Sequence, residues 1–260
     1  MTEESDQSAY HIRVNNLWKI FGDKPEVALD PENRSKSPTE IQSEFGQVTA
    51  LRDVSFNVNH GETFVIMGLS GSGKSTLAKL LAGLLDPGQG QILASGIDLQ
   101  QIAPDWWRKQ IIYLPQEPYF INGSIKENFN AYNPDLTTGE IRKFLIEVGL
   151  EALADESPGG LNQSVGKGGF NFSLGVRRRL ALARALSHDG PLAILDEPTE
   201  GIDATGTSYV YKIMNEMVRN GKTVIACSHD REIIRGAHLF LDLNERPQPT
   251  IKDIKKNKPA

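Results

Sequence analysis

The sequence comprises 260 residues, of which 39% are hydrophobic and 23% are charged, and its formal net charge at pH 7 is −5. This composition is ordinary for a globular protein with one large core, or with one core and a smaller subdomain. The negative charge disfavours nucleic acid and anionic lipid as partners. The one cysteine, Cys227, excludes a disulfide within the chain, and we predict that it is a small buried side chain.

The chain has no apolar run that approaches the roughly 20 residues needed to span a bilayer. Its N-terminal residues are acidic and lack the basic and apolar segments of a signal peptide. We therefore expect a cytosolic protein in a reducing compartment. If the protein works at a membrane, we expect it to do so through a partner.

The N-terminal part is predicted to be rich in β-structure. Residues 1–9 are polar and predict a disordered tail. Residues 23–47 contain three prolines and predict a polar insertion, with a short helix at 38–45. Alternation of apolar and polar residues predicts a strand that begins at 10–14 and that residues 17–22 end at Gly22. One or two further strands are predicted at 48–58.

A glycine-rich stretch follows these strands. Residues 68–76 match the pattern G-x-x-x-x-G-K-[ST] at every fixed position, between a predicted strand at 63–67 and a predicted helix at 77–85. Such a P-loop lets backbone N–H groups approach nucleotide phosphates closely, at the positive end of the helix. Lys74 is placed to reach the β- and γ-phosphates, and Ser75 to hold Mg²⁺. The predicted nucleotide-binding residues of the loop are Gly68, Ser70, Gly71, Ser72, Gly73, Lys74, Ser75 and Thr76. A glycine-rich turn without a ligand is the alternative, which the full match disfavours.

The remainder of the chain alternates between apolar strands and segments of helical spacing. Strands are predicted at 91–94, 111–114, 192–195, 223–227 and, as a last edge strand, 240–243. Helical spacing is predicted at 106–110, 125–153, 173–186 and 209–220. Ser173 is the expected N-cap of the third of these helices, and Gly221 is expected to end the fourth. Residues 246–260 predict a basic, solvated tail, which leaves 10–245 as one domain.

Two acidic residues, Asp196 and Glu197, come directly after the fully apolar strand predicted at 192–195. In a P-loop sheet the carboxyl ends of the strands form the active edge, next to the phosphates. Asp196 is then placed to bind Mg²⁺, directly or through water. Glu197 is placed to orient and deprotonate an attacking water. The alternative is that the two acids simply end a strand.

Two other polar residues also follow predicted strands. His229 comes shortly after 223–227, where its imidazole can donate a hydrogen bond to a γ-phosphate or to the attacking water. Gln116 follows 111–114 and is placed to touch Mg²⁺ or water. Alone, each residue is ordinary, because a lone histidine is usually structural and a glutamine is common in turns. Their weight as catalytic candidates comes from the other motifs.

These motifs, in this order, resemble the nucleotide-binding subunits of ATP-binding cassette (ABC) proteins, from about residue 12 to residue 243. The resemblance implies that 68–76 is Walker A, that Asp196 is the Walker B acid and that Glu197 is the catalytic carboxylate. Further residues that it assigns to ABC motifs are Gln116 in the Q-loop, Asp203 in the D-loop and His229 as the switch histidine. Phe21 matches the aromatic residue that stacks on adenine, and Trp18 is a weaker candidate.

The resemblance implies an α/β fold. It comprises a P-loop NTPase core, a mostly parallel sheet with flanking helices, joined to an antiparallel β subdomain and a helical signature subdomain at about 97–187. The implied cofactors are ATP and Mg²⁺. The implied partners are a second ABC subunit, in a head-to-tail homodimer or heterodimer, and a transmembrane permease, whereas nucleic acid is not expected. The protein would then lie at the cytoplasmic face of the inner (plasma) membrane.

The signature is where the sequence departs from the family. The family pattern is L-S-G-G-Q, and residues 172–176 retain only Ser173 and Gly175, which would face the γ-phosphate. Leu174 replaces the first glycine, where a Cβ restricts the backbone, and Val176 replaces the glutamine. An asymmetric heterodimer with one weak site is one interpretation. We favour tolerated drift with activity kept, because the chain has its own complete hydrolytic set.

Different parts of the sequence resemble uptake and export systems, and several aromatic residues are candidates for the docking surface. Residues 17–22, the polar insertion and residues 64–75 look like the ATPases of glycine betaine/proline-type uptake systems. Residues 96–99, 115–128 and 164–169 look like exporter cassettes. The family docks its membrane partner near 116–128. The aromatic candidates for this dock are Trp106, Trp107, Tyr119 and Phe120.

Two other functions are alternatives to a transporter ATPase. A soluble ABC ATPase acting on DNA or ribosomes usually carries long coiled-coil insertions or two fused cassettes, and neither is visible in this sequence. A P-loop kinase of a small molecule is disfavoured by the signature helix, Asp203 and His229.

Overall fold

The computed structural model describes residues 10–155, 159–244 and 249–253. The predicted tail at 1–9 lies outside these residues, as does most of the tail predicted at 246–260. The described strands are β1 Tyr10–Phe21, β2 Val48–Asn59, β3 Thr63–Met67, β4 Gln89–Ala94, β5 Ile97–Asp98, β6 Ile111–Leu114, β7 Leu192–Asp196, β8 Thr223–Cys227, β9 Leu239–Asp242 and β10 Thr250–Asp253. The described α-helices are α1 Glu26–Leu29, α2 Pro38–Phe45, α3 Lys74–Leu81, α4 Pro104–Gln110, α5 Ile125–Asn130, α6 Thr138–Glu147, α7 Glu151–Asp155, α8 Leu174–Leu186, α9 Ala204–Arg219 and α10 Arg231–Gly236. The chain divides into two compact units, the first formed by residues up to 108 and from 227 onward, the second by 109–226.

The first unit contains an antiparallel sheet with the strand order β2-β1-β4-β5. As the sequence predicts, β1 is one strand that ends before Gly22, and its pairing with β2 shifts between Val14 and Leu17. Asn16 lies in this shift with a φ of 43°, and its backbone N–H donates to the Ser55 hydroxyl at 2.8 Å. Its side chain donates to Asp53 at 2.9 Å. The apparent break in the pattern is therefore a β-bulge within one strand.

The polar insertion packs a small core of its own against β1. Its helix α2 occupies Pro38–Phe45, as the sequence predicts, and begins with a capping box between Ser37 and Glu40. Ile41 and Ala28 of the insertion are buried together with Trp18 and Ile20 of β1. The insertion is thus folded onto the antiparallel sheet rather than being an open loop.

Three other strands of the first unit pair in the order β10-β9-β3. Strand β9 is parallel to β3 and antiparallel to β10. The prediction of β9 as a last edge strand was therefore wrong, and β10 at Thr250–Asp253 forms inside the stretch predicted as a tail. Four residues are too few for a clear alternating pattern, so β10 is defined by its pairing with β9.

In the second unit the strands β8, β7 and β6 are neighbours in that order, and β6 runs parallel to β7. Every residue of β7 is buried, as predicted for a fully apolar strand. Helix α9 begins at Ala204, five residues earlier than its apolar periodicity indicates, because the Asp203 side chain caps it. The buried strands of this unit bring the two acids at the end of β7 and the segment after β6 to one sheet edge.

A pair of stacked histidines in the first unit predicts acid lability. His11 is 6% exposed, and its ring lies 4.4 Å from the ring of His60. Burial, and then the charge of His60, lower the pKa of His11 to about 4. The unfolded chain binds this proton at pH values below about 6.5, whereas the folded chain resists it until about pH 4. Stability should therefore fall as the pH drops through this window.

We expect thermal unfolding midpoints to record this loss. Replacing His11 with phenylalanine keeps a ring in the stack and removes the titrating group. Between pH 7 and pH 5 the midpoint of the wild-type chain should fall by about 3 °C more than that of His11→Phe. Equal falls in the two proteins would contradict a role for His11. His238→Phe, which changes a histidine outside the stack, serves as the control.

Candidate functional site

The glycine loop of the first unit lies between β3 and α3, as predicted. Gly73 is the N-cap of α3 and has a φ of 99°. A Cβ on Gly73 would lie 2.4 Å from the Ala50 carbonyl oxygen, and one on Gly68 would lie 2.1 Å from the Ser72 hydroxyl oxygen. Both positions therefore require glycine. Glycine-rich loops of this kind let backbone N–H groups approach nucleotide phosphates closely.

Two side chains hold the ends of this loop. The Lys74 ammonium donates to the carbonyl oxygens of Gly68, at 2.7 Å, and Leu69, at 3.3 Å. The Leu69 N–H donates to the side-chain oxygen of Asn244 at 2.9 Å. Asn244 was not among the predicted site residues, because its contact with the loop depends on the pairing of β9 with β3.

The segment that contains His229 packs against the same loop and strand. The Ser228 N–H donates to the Ile66 carbonyl of β3 at 3.1 Å, and the Cys227 thiol lies 3.5 Å from the Lys74 carbonyl oxygen. Cys227 is fully buried, which confirms that prediction. His229 itself is exposed. The first unit therefore brings the predicted switch histidine close to the P-loop in the fold.

The two adenine-stacking candidates differ in exposure. The Phe21 side chain is 39% exposed, and the Lys19 ammonium lies 5.3 Å from its ring centre. Trp18 is 6% exposed because the insertion covers it, and the Arg52 guanidinium lies 5.5 Å from its ring. Trp18 therefore has no free face for a base, and Phe21 remains the candidate.

In the second unit, Asp196 and Glu197 stand at the carboxyl end of β7. Asp196 is the last residue of the strand, and the two residues are 2% and 5% exposed. Glu197 has a φ of 50°, a left-handed conformation that is uncommon for a residue other than glycine. Strained backbone of this kind persists where the surrounding structure holds a side chain in one direction.

The structure brings Gln116 to the loop that follows these acids. Gln116 lies two residues beyond β6, and its amide nitrogen donates to a Glu200 carboxylate oxygen at 3.2 Å. The Arg178 guanidinium donates to the same oxygen at 3.0 Å. Sequence analysis assigned no role to Glu200 or Arg178. Neither residue has a local signal, because they meet only through the fold of this unit.

The altered signature lies at the start of α8. The Ser173 hydroxyl oxygen caps the helix by accepting from the Val176 N–H at 3.4 Å. Leu174 is 43% exposed, and its Cδ2 lies 2.8 Å from the position of a Cβ on Gly201. A Cβ on Gly175 would lie 3.4 Å from the Gly201 carbonyl oxygen, so Gly175 is also close to this loop. The signature therefore packs on the loop between β7 and α9.

Asp203 ends that loop as the N-cap of α9. Its carboxylate accepts from the Gly206 N–H at 2.9 Å. The helix start is thus fixed by the residue that the sequence assigns to the D-loop, which gives Asp203 a structural role in addition to its predicted one.

The residue types fit ATP with Mg²⁺. The glycine loop with Lys74 suits phosphates, and the Ser75 hydroxyl, the Asp196 carboxylate and the Gln116 amide oxygen are the hard oxygen ligands that Mg²⁺ prefers. Magnesium is usually held by one or two carboxylates together with substrate phosphates, and Asp196 is a carboxylate at the end of a buried strand.

The first unit contains a strand, a glycine loop and a helix in succession. The second unit contains a buried strand that is followed by two acids. These features define a P-loop nucleotide-binding protein. The profile of the ABC transporter family matches residues 51–200. The chain therefore belongs to the ABC transporter family, whose ATP-binding domains are ATPases coupled to transport.

Two curated relatives and one solved structure illustrate this membership. The chain is 40% identical over 226 residues to the glutathione/L-cysteine transport system ATP-binding/permease protein CydC of Escherichia coli, covering 84% of this chain and 38% of CydC. It is 33% identical over 198 residues to the ATP-dependent lipid A-core flippase of Neisseria meningitidis, covering 76% of this chain and 32% of the flippase. The chain thus spans less than two fifths of the length of either relative.

A bacterial ABC exporter with ATP bound has the same fold, with a TM-score of 0.78 at 23% identity. The alignment covers 94% of this chain and 39% of the exporter chain. The predicted α/β class, with a parallel sheet and an antiparallel sheet, is confirmed. Within the parts of the chain that the structure describes, helices long and apolar enough for a membrane span are not found.

Proposed function

We propose that this chain binds and hydrolyses ATP with Mg²⁺, pairs with a second ABC subunit and drives a transmembrane permease. The observation that carries the proposal is the complete catalytic set in a member of the ABC transporter family. The glycine loop is built for phosphates, and two buried acids end β7.

Each residue has a chemical role in this proposal. The loop N–H groups and Lys74 bind the phosphates, while Ser75, Asp196 and Gln116 supply oxygen ligands for Mg²⁺. Glu197 accepts a proton from the attacking water, and His229 donates a hydrogen bond to the γ-phosphate or to that water. The metal would supply charge neutralisation on the phosphates when bound.

Exposed apolar side chains support a second subunit as partner. Leu69 in the glycine loop is 74% exposed, and Phe170 and Leu174 at the signature are 78% and 43% exposed. Contiguous patches of such side chains mark interaction surfaces, and the proposed dimer would cover these three. In the proposed dimer, Ser173 and Gly175 of one subunit serve the nucleotide of the other.

A transmembrane partner is supported by the relatives, one an ATP-binding/permease protein and the other a flippase. Among the docking candidates, Trp106 and Tyr119 are 55% and 64% exposed. Trp107 and Phe120 are buried, so they belong to the core and not to a dock. A cleft of about 300 Å³ beside α4 would receive a permease segment.

We propose that the chain works at the cytoplasmic face of the membrane, because its relatives include a transport-system protein and a flippase. The alternative of a soluble ABC ATPase predicts no membrane partner. Co-purification of the chain with a membrane protein favours the transporter, and ATP turnover without any acceptor argues against a kinase.

The proposal predicts how ATP hydrolysis depends on protein concentration. If two chains complete two sites, the specific activity of the purified chain should rise with concentration until the dimer saturates. The measurement is steady-state phosphate release across a wide range of protein concentrations, with sedimentation under the same conditions. Ser173→Ala should lower the plateau, whereas Ser43→Ala, a change in helix α2 of the insertion, should not.

A flat specific activity would contradict pairing of identical chains as the route to hydrolysis. ATP binding without hydrolysis at any concentration would show that the altered signature does not complete a site in a homodimer. Activity would then require a different second subunit. Absence of ATP binding would contradict the proposed function as a whole.

A further inference from the structure

We infer that Glu200 is a positioning residue that fixes the orientation of the Gln116 side-chain amide. The inference rests on the proposed function, in which the amide oxygen of Gln116 is a ligand for the Mg²⁺ of Mg-ATP. Glu200 follows the two acids of β7 by three residues and is not itself one of the proposed ligands.

The hydrogen bond decides which end of the amide is presented. The Gln116 nitrogen donates to Oε2 of Glu200 at 3.2 Å. An amide nitrogen only donates, and a carboxylate only accepts. The Gln116 oxygen therefore points away from Glu200. A glutamine amide that turned by half a rotation would place its N–H groups where the oxygen now lies.

Arg178 holds the Glu200 carboxylate that orients the Gln116 amide. Its guanidinium donates to the same Oε2 at 3.0 Å and also to the Glu200 backbone carbonyl oxygen. The Arg178 side chain is 8% exposed, whereas that of Glu200 is 43% exposed. A half-exposed glutamate alone would sample several rotamers, so the buried arginine is what keeps its carboxylate in place.

Packing next to this contact fixes the distance between the helix and the loop. Leu174 lies one turn before Arg178 on α8, so both side chains share one face of the helix. Leu174 packs where Gly201 lacks a side chain, because a Cβ there would lie 2.8 Å from the Leu174 Cδ2. Gly201 also has a φ of 66°, which favours glycine. Leu174 with Gly201, and Arg178 with Glu200, thus join the signature helix to the loop.

The chemical consequence concerns metal affinity. Of the two ends of an amide, only the oxygen coordinates Mg²⁺, and an N–H group facing the metal would repel it. Partners that orient a ligand from outside the coordination sphere typically change metal affinity by about 10-fold or more when they are removed. Glu200 is such a partner for Gln116.

The test compares ATP binding by calorimetry across a series of Mg²⁺ concentrations, using the intact chain. In Glu200→Gln the new amide can donate or accept, so Gln116 is no longer restricted to one orientation. The Mg²⁺ concentration that gives half of the maximal increase in ATP affinity should rise about 10-fold. ATP affinity without Mg²⁺ should stay as in the wild type. Glu216→Gln removes an exposed glutamate of the same unit, paired with Lys212 at 3.9 Å, and should behave as the wild type.

A second variant and a double-mutant cycle separate positioning from general damage. Glu200→Asp keeps the charge beside Arg178 but shortens the reach to Gln116, and it should show the same rise even if Glu200→Gln is unstable. In a Gln116→Ala background, Glu200→Gln should add nothing to the Mg²⁺ requirement, because the group through which it acts is gone. A purely structural role would add its effect in that background too.

The outcomes separate the inference from the proposed function. If the wild-type chain does not bind ATP with Mg²⁺, the proposed function fails. If the wild type binds and Glu200→Gln and Glu200→Asp require the same or less Mg²⁺, the positioning role of Glu200 is overturned. A rise that persists undiminished in the Gln116→Ala background also overturns it.

Discussion

Replacing Glu197 with glutamine should slow ATP hydrolysis by about 1000-fold, because a general base contributes an acceleration of that order. Glutamine has nearly the same shape but cannot accept the proton of the attacking water. ATP binding should persist, since the glycine loop and Lys74 are unchanged. If closed dimers form only with ATP bound and reopen after hydrolysis, the variant should accumulate as a dimer with trapped nucleotide.

The measurement for Glu197→Gln combines phosphate release with sedimentation in ATP and Mg²⁺. The substitution removes a carboxylate from a side chain that is 5% exposed, so we expect no loss of thermal stability. Gln and Glu tolerate the left-handed conformation at this position equally, so the backbone should not change. Glu216→Gln is the matched control. Hydrolysis at the wild-type rate in Glu197→Gln would remove Glu197 from the role of general base.

Replacing Lys74 with alanine should weaken ATP binding by about 100-fold and abolish measurable hydrolysis. In the proposed function the ammonium donates charge-assisted hydrogen bonds to phosphate oxygens, each of which contributes about 1.5–3 kcal/mol. In the fold the same group donates to the carbonyl oxygens of Gly68 and Leu69. Its removal therefore also loosens the loop, and both effects act in the same direction on binding.

Calorimetric titration with ATP is the direct test of Lys74→Ala. Lys79 lies on the same helix α3, five residues further on, and is exposed. Lys79→Ala therefore changes the charge of the helix by the same amount without touching the loop, and it should bind ATP as the wild type does. Unchanged ATP affinity in Lys74→Ala would contradict its assignment to the phosphates. Weaker binding in both variants would indicate a general electrostatic effect instead.

The effect of the altered signature residue Leu174 depends on what its side chain packs against in the fold. From the sequence, Leu174 is expected to restrict the backbone and crowd a phosphate. In the fold its side chain packs beside Gly201, a position with no Cβ. Ser173 keeps its hydroxyl at the helix start, where the chain is exposed. Retention of activity therefore stays the prediction that the concentration series tests.

Local patterns in the sequence determined the glycine loop, the two acids after β7 and the capped helices. Gly73 follows from the positive φ of 99° at the start of α3, and Ser37 and Ser173 cap α2 and α8 through neighbours three residues away. These features depend on contiguous residues. Short-range sterics and hydrogen bonds fix them, so they can be predicted without knowing the fold.

Only the tertiary structure decided which distant residues meet. Gln116 and Glu200 are 84 positions apart, and Leu69 and Asn244 are 175 positions apart. The burial of Trp18 is likewise visible only in the structure, because it depends on how the insertion packs against β1. Contacts of this kind arise from how strands and helices pack, and no local periodicity records them. The sequence by itself therefore determined the chemistry of the chain, whereas the packing of its elements decided how Gln116 is oriented.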